Sequence, residues 1–142
     1  FVGGGKDDCN LRNLVKNDNM SKYINFHGWL NHNEIENILF ESDILVLPSW
    51  AEGFPNAIIE GMASGLAIIT TNVGNIPDIL NNNSEAILIP SKNRNRLKES
   101  IIYLLKNSQI RHKLARQGYN FAMENFSTEK AVEKLDSIIR EV

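Results

Sequence analysis

The chain has 142 residues, a formal net charge of -2 and a single cysteine. Its length is that of one ordinary domain with a real core, and apolar and charged fractions of 42% and 23% do not indicate disorder. The weak charge, with Lys and Arg scattered rather than striped, gives no footprint for nucleic acid, and Cys9 alone makes no intrachain disulfide and no thiolate metal cluster.

A lone cysteine suits a reducing cytoplasm. No apolar run approaches the length of a membrane span, and no signal peptide is visible. The start at "FVGGG", without Met, is expected of a piece cut from a longer chain.

In chain order, "FVG" at 1–3 reads as a buried strand ending in glycines. Residues 10–18 place Leu11, Leu14 and Val15 at helical spacing, and "YINFHG" at 23–28 alternates like a strand. "NHNEIENILFES" opens with asparagine caps and sets Ile35, Ile38 and Leu39 on one helical face. "DILVLP" at 43–48 is a continuous apolar run stopped by proline, as expected of a strand covered on both faces. Asn56 to Ser64 reads as a helix capped by Gly65, "LAIITT" at 66–71 as a strand, Ile76–Leu80 as a helical turn and "EAILIP" at 85–90 as a fifth strand. Three helices follow near 93–107, 109–124 and 128–141, the last with Ala131, Leu135, Ile138 and Ile139 as its apolar stripe.

Strand–helix alternation with continuous hydrophobicity predicts an α/β fold with a doubly wound parallel sheet and a helical C-terminus. Ligands of such sheets bind beyond the carboxyl ends of the strands, so the loops at Gly3–Lys6, His27–Leu30, Pro48–Asn56, Asn72–Asp78 and Pro90–Asn93 are where function is expected.

"FVGGGKDD" is not a phosphate loop, because Lys6 is followed by Asp7 rather than Ser or Thr. Nor is it a dinucleotide fingerprint, since the third glycine is replaced by Asp8. It reads as a tight strand-to-helix turn, or as a loop whose Gly4 and Gly5 approach a ligand without being its main cradle. His27 follows a strand directly, but a lone histidine is more often structural than catalytic. His32 and His112 have no Cys or acidic partner at ligand spacing, so no metal site is expected.

"PSWAEGFPNAIIEGMASG" at 48–65 is richer. Pro55 starts a helix at Asn56. Were 52–60 one helix, Glu52 and Glu60 would lie ~12 Å apart; the turn folds that distance back. The helix start offers free N–H groups and a positive dipole end to an anion, through Gly53, Phe54, Asn56 and Ala57, Pro55 having no N–H. Ionised carboxylates only accept hydrogen bonds. Two of them flanking an anion-binding helix end suit ribose, diphosphate and hexose, the parts of a nucleotide sugar. The plainer alternative makes Glu60 a carboxylate that stabilises its own helix and Glu52 a solvated turn residue.

"SDILVLPSWAEGFPNAIIEGMASGLAIITTNVGNIPDIL" resembles the donor-binding segment of retaining glycosyltransferases of family 4, on the GT-B fold. The likeness extends in looser form through "FVGGG", "INFHGWL", the E-x7-E segment and the C-terminal helices. Ala67 stands where that family commonly has proline, and Glu85 and Ala86 where it commonly has glycine. The resemblance implies two Rossmann-like domains. The N-terminal one holds the acceptor and a catalytic-site histidine, and the C-terminal one the nucleotide sugar. Residues 1–142 then correspond to a single nucleotide-sugar-binding domain lacking its first strand–helix unit, whose Arg/Lys pair would bind the diphosphate, and lacking the acceptor domain. By this resemblance Glu52 is the catalytic residue at the donor sugar's hydroxyls and Glu60 contacts the ribose. The amides of Gly53 and Phe54 approach sugar and diphosphate, and Gly28, Trp29 and Leu30 approach the base. The donor is UDP- or GDP-linked. The acceptor is a glycan or lipid-linked glycan, as in polysaccharide, capsule or lipopolysaccharide synthesis. No cofactor or metal is implied, and the setting is bacterial and cytoplasmic, or peripheral at the inner membrane face through regions outside this chain.

Two other classes fit the residues less well. A phospho-acceptor domain wants an aspartate at a strand's end, whereas Asp43 precedes "ILVLP". A glycoside hydrolase needs one carboxyl kept protonated, and a helix N-terminus acts the other way. A non-catalytic nucleotide- or phosphate-binding domain remains the alternative.

Overall fold

The computed structural model describes residues 1–140, the side chains of Ala131, Lys134, Leu135, Ile138 and Arg140 lying outside that description. Its internal contacts fall into two compact units, Phe1–Ile38 and Leu39–Val142.

The larger unit is built on three parallel strands in the order β1 (Ile44–Leu47), β2 (Ala67–Thr71) and β3 (Ala86–Ile89). Register pairs Ile44 with Ala67 and Ile68 with Ala86. Because successive side chains leave a strand on opposite faces, each continuous apolar run feeds two cores. Ile68, Ala86, Leu45 and Leu88 pack under α3 (Asn56–Ala63) and α4 (Ile76–Ile79), through Ile58, Met62 and Ile76. Ala67, Ile69, Ile87, Ile89 and Val46 pack under α5 (Arg94–Lys106), through Leu97, Ile101 and Leu104. Helices therefore cover both faces, as expected. Only β2 is buried along its whole length. β1, expected to be covered on both sides, is half-buried throughout because it is an edge of this sheet.

α6 (Ser108–Phe126) contributes to both cores, Leu114 to one and Ala122 to the other. It crosses beside the residues that precede the strands. Arg111 Nε faces Asp43 Oδ1 at 3.6 Å, and a side chain at Gly118 would meet Glu85 O at 3.1 Å. α6 thus lies beside the amino-terminal ends of β1 and β3, and the carboxyl ends carry the loops at Pro48–Pro55, Asn72–Asn75 and Pro90–Asn93. α7 (Thr128–Arg140) follows Ser127. Of its expected apolar stripe, the side chains of Ala131, Leu135 and Ile138 lie outside the described residues, and Ile139 is exposed.

The smaller unit departs further from expectation. Neither "FVG" nor "YINFHG" forms a ladder. They meet in one parallel bridge, Val2 with Gly28, held by Gly3 N–H to Gly28 O at 2.7 Å and His27 N–H to Phe1 O at 2.9 Å. Phe1 and Val2 are exposed, so the first residues are not a buried strand. α1 (Asp8–Asn17) begins two residues earlier than expected and buries none of its residues. Its Leu11, Leu14 and Val15 border an apolar hollow of about 220 Å³ with Phe1, Ile24 and Phe26. A unit this small cannot enclose a core on its own. α2 (His32–Phe40) spans the boundary between units and starts in a capping box, Glu34 N–H to Asn31 Oδ1 at 3.0 Å and Asn31 N–H to a Glu34 carboxylate oxygen at 2.8 Å. The asparagine cap read from the sequence is Asn31.

The two-faced sheet makes a sharp contrast inside α5, where Leu104 is 0% and Leu105 63% exposed. Leu104→Ala is expected to cost ~2–5 kcal/mol of unfolding free energy, and Leu105→Ala within ~0.5 kcal/mol of nothing, by urea denaturation of each variant.

Candidate functional site

The chain leaves β1 at Pro48, and two buried hydroxyls of β2 hold it there. Thr70 Oγ1 donates to Leu47 O at 3.0 Å and Thr71 Oγ1 to Ser49 O at 2.6 Å. The turn that follows bends the chain back into α3. Ser49 Oγ donates to Glu52 Oε1 at 2.7 Å, and Gly53 O accepts from Asn75 N–H at 3.1 Å. Gly74, at φ +56°, lies against the Glu52 carbonyl so closely that a Cβ there would collide with it. The loops after β1 and β2 therefore support one another backbone to backbone.

α3 starts where Pro55 fixes φ at -76° and supplies no N–H. The first of its amides with a backbone acceptor is Ile58, bonded to Pro55 O at 3.0 Å. Among the described residues the amides of Gly53, Phe54, Asn56 and Ala57 have no such acceptor. They are donors at the positive end of a helix. Phe54 anchors this start, stacked on Phe126 at 5.6 Å between ring centroids. Ile58 and Met62 face the core. Asn56, Ala57 and Glu60, three and four residues apart, share the opposite side, with Glu60 about 6 Å further along the axis than Asn56. Glu52, Gly53, Phe54, Asn56, Ala57 and Glu60 are thus gathered on one turn and the first turns of one helix. The pair of half-buried carboxylates flanks bare amide donors, an arrangement able to accept hydroxyl hydrogens on either side of an anion.

The remaining expected residues, Gly4, Gly5, Gly28, Trp29 and Leu30, all belong to the smaller unit. There the Val2–Gly28 bridge sets the glycine loop beside Trp29, whose Nε1 would lie 3.2 Å from a Cβ on Gly4. Trp29 is 84% exposed, a flat aromatic face open to contact. His27 is exposed as well. His32, expected to have no acidic partner, has one: its Nε2 lies 3.2 Å from Glu36 Oε1, four residues on along the exposed side of α2. The i, i+4 spacing of an acid was the missed signal. The described residues hold no cluster of three metal-ligating side chains.

Ser49, Gly74 and Lys92 lie in loops where function is expected, but the sequence gives them no individual role, and Thr71 falls inside the apolar strand run. Lys92 follows β3 and sets its ammonium 4.8 Å over the Trp50 ring. Both border a hollow of about 190 Å³ at the strands' carboxyl ends, with Pro48, Thr71 and Arg94. A larger hollow, about 600 Å³, lies between α5, α6 and Ile87, beside Arg96, Tyr103 and Lys113. It contains none of the expected residues and borders helix middles rather than strand ends, so size does not make it the site.

Residues 1–121 match the family model of glycosyl transferases group 1. The chain belongs to that family. An uncharacterized glycosyltransferase of Methanocaldococcus jannaschii is 32% identical over 142 residues, all of this chain and 40% of that protein. N-acetyl-alpha-D-glucosaminyl L-malate synthase of Bacillus anthracis is 28% identical, again over all of this chain and 37% of its own length. UDP-Gal:alpha-D-GlcNAc-diphosphoundecaprenol alpha-1,3-galactosyltransferase of Escherichia coli is 28% identical over 97% of this chain and 35% of its own. This group 1 chain spans about 40% or less of these curated relatives. Among solved structures, the C-terminal domain of a Francisella tularensis glycosyl transferase group 1 family protein superposes with TM-score 0.80 at 29% identity, over 88% of this chain and 66% of that one. Anabaena HepE in complex with UDP-glucose, only 16% identical, shares the fold at TM-score 0.85 over 99% of this chain and 40% of its own. The group 1 chain has the α/β architecture of a GT-B C-terminal part, and no helix among its described residues is long and apolar enough to cross a membrane.

The contact between Gly74 and the Glu52 carbonyl sets a further expectation. Gly74→Ala must move the Glu52 turn and strain a left-handed backbone, and should lower stability by ~1–3 kcal/mol in urea denaturation. Gly5→Ala, which meets open space, should change it by less than ~0.5 kcal/mol.

Proposed function

We propose that this chain is the nucleotide-sugar-binding domain of a retaining family 4 glycosyltransferase of hexosyltransferase type. It would work with an acceptor-binding domain that these residues do not include. The observation that carries the reading is the gathering of Glu52, Glu60 and the bare amides of Gly53, Phe54, Asn56 and Ala57 at the start of α3, in a member of the group 1 family. Glu60 accepts from the ribose hydroxyls and Glu52 from the donor sugar's hydroxyls. The amides and the helix dipole stabilise the diphosphate as it takes up negative charge on leaving, a role that falls mainly in the transition state. That source of positive potential makes the reading workable without a metal. Gly4, Gly5, Gly28, Trp29 and Leu30 are proposed as further donor contacts, Trp29 offering an exposed aromatic face to the base.

A UDP-linked donor and a lipid-linked acceptor are supported by the name of the Escherichia coli relative, which specifies both UDP-Gal and diphosphoundecaprenol. GDP remains the other donor considered. A cytoplasmic place, or a peripheral one at the inner membrane face, follows from such substrates.

Titration with UDP, GDP and ADP tests the reading. One nucleoside diphosphate should bind and shift the amide resonances of Gly53–Ala57. No shift with any of the three, in the chain and in the intact enzyme, would refute it. The carboxylates should also separate. In the intact enzyme Glu60→Ala should weaken nucleoside diphosphate binding roughly ten- to a hundredfold, the loss expected for a hydrogen bond to a charged group. Glu52→Ala should leave that affinity nearly unchanged and lower transfer by a similar factor, read from isothermal calorimetry and initial rates.

A further inference from the structure

A glutamate side chain on a turn is long and samples many rotamers, yet the Glu52 carboxylate is held. Ser49 Oγ donates to its Oε1 at 2.7 Å. Ser49 is itself held, its carbonyl accepting from Thr71 Oγ1 at 2.6 Å. Thr71 is 1% exposed, so water does not compete for that hydroxyl. The order runs outward from the core: Thr71 fixes the Ser49 backbone, the backbone aims Oγ, and Oγ fixes one carboxylate oxygen. The far side of the turn is held too, by Asn75 N–H on Gly53 O and by the close approach of Gly74. Among the described residues Glu52 Oε2 has no protein partner, which leaves it free to accept from a ligand. A turn restrained on both sides, with a single carboxylate oxygen left open, is preorganised for a ligand's hydroxyls.

We infer that Ser49 is a positioning residue for the transfer reaction, acting through Glu52. Its hydroxyl selects the Glu52 rotamer that presents Oε2 to the donor sugar, and Thr71 supports it from the core. The inference rests on the proposed contact of Glu52 with the donor sugar.

A double-mutant cycle in the intact enzyme tests it, with kcat, donor KM and nucleoside diphosphate affinity measured for wild type, Ser49→Ala, Glu52→Ala and the double variant. Ser49→Ala should lower kcat roughly tenfold, the low end for a lost hydrogen bond to a charged group, with UDP or GDP affinity within about twofold of wild type. Ser49→Thr, which keeps the hydroxyl, should recover most of the rate. In the Glu52→Ala background, Ser49→Ala should have no further effect, because the group it positions is gone. If Ser49→Ala does not fold, Thr71→Val takes its place in the same cycle, removing the tether one step back. An equal loss in both backgrounds, or an unchanged kcat where Glu52→Ala is impaired, overturns the inference alone. Wild-type transfer by Glu52→Ala overturns the donor-sugar reading and the inference with it.

Discussion

The bond from the buried Thr71 hydroxyl to the Ser49 carbonyl is the point on which the candidate site depends. A hydroxyl at the centre of a sheet covered on both faces must find an acceptor or forfeit its solvation, at a cost of ~1–3 kcal/mol. Thr70 finds its acceptor sideways at Leu47, the last residue of β1, and Thr71 at Ser49, just beyond it. The need to satisfy two polar groups in the core thus fixes the path of the first residues beyond the strand. Everything that follows on that path, the Ser49 hydroxyl, the Glu52 turn and the Pro55 start of α3, inherits its position from there.

How much of this was legible in the sequence follows from the range of each interaction. The runs at 43–48, 66–71 and 85–90 could be read because a strand in a covered sheet is apolar at consecutive positions. The start of α3 was readable from Pro55, and its end from Gly65, which takes φ +77°. These are local rules with local residues. "FVG" and "YINFHG" obey the same rules, yet they make one bridge and no ladder, because pairing depends on neighbouring strands rather than on β-propensity. Leu11 and Leu14 were correctly placed on a helix but are not buried. Periodicity tells which face is apolar, not whether anything covers it.

Some of the partly hidden features were local pairs, His32 with Glu36 and Ser49 with Glu52, and others tertiary. Glu52 and Glu60 stood out in the sequence as carboxylates around a turn. Ser49, three residues before Glu52, looked like any turn serine, and Gly74 serves both its own left-handed turn and a contact with a backbone 22 residues earlier. A glycine followed by Asn75 reads as a generic turn. Only the fold brings its Cα to the Glu52 carbonyl. Membership of the group 1 family adds a different kind of information, since it says what such strand-end loops are used for without saying how this chain holds them.

The crossing of α6 past Asp43 and Glu85 has an evolutionary consequence. It assigns the two ends of the larger unit to separate tasks. Residues of one end tie helices to strands, while the loops of the other end touch the cores through a few residues, among them Phe54 and Val73. A lineage can then lengthen or recompose the segments at 50–52 or 91–93 and change what is recognised, while Phe54 and both apolar clusters stay as they are. Divergence in specificity under a preserved scaffold needs such a division, and here one long helix supplies it.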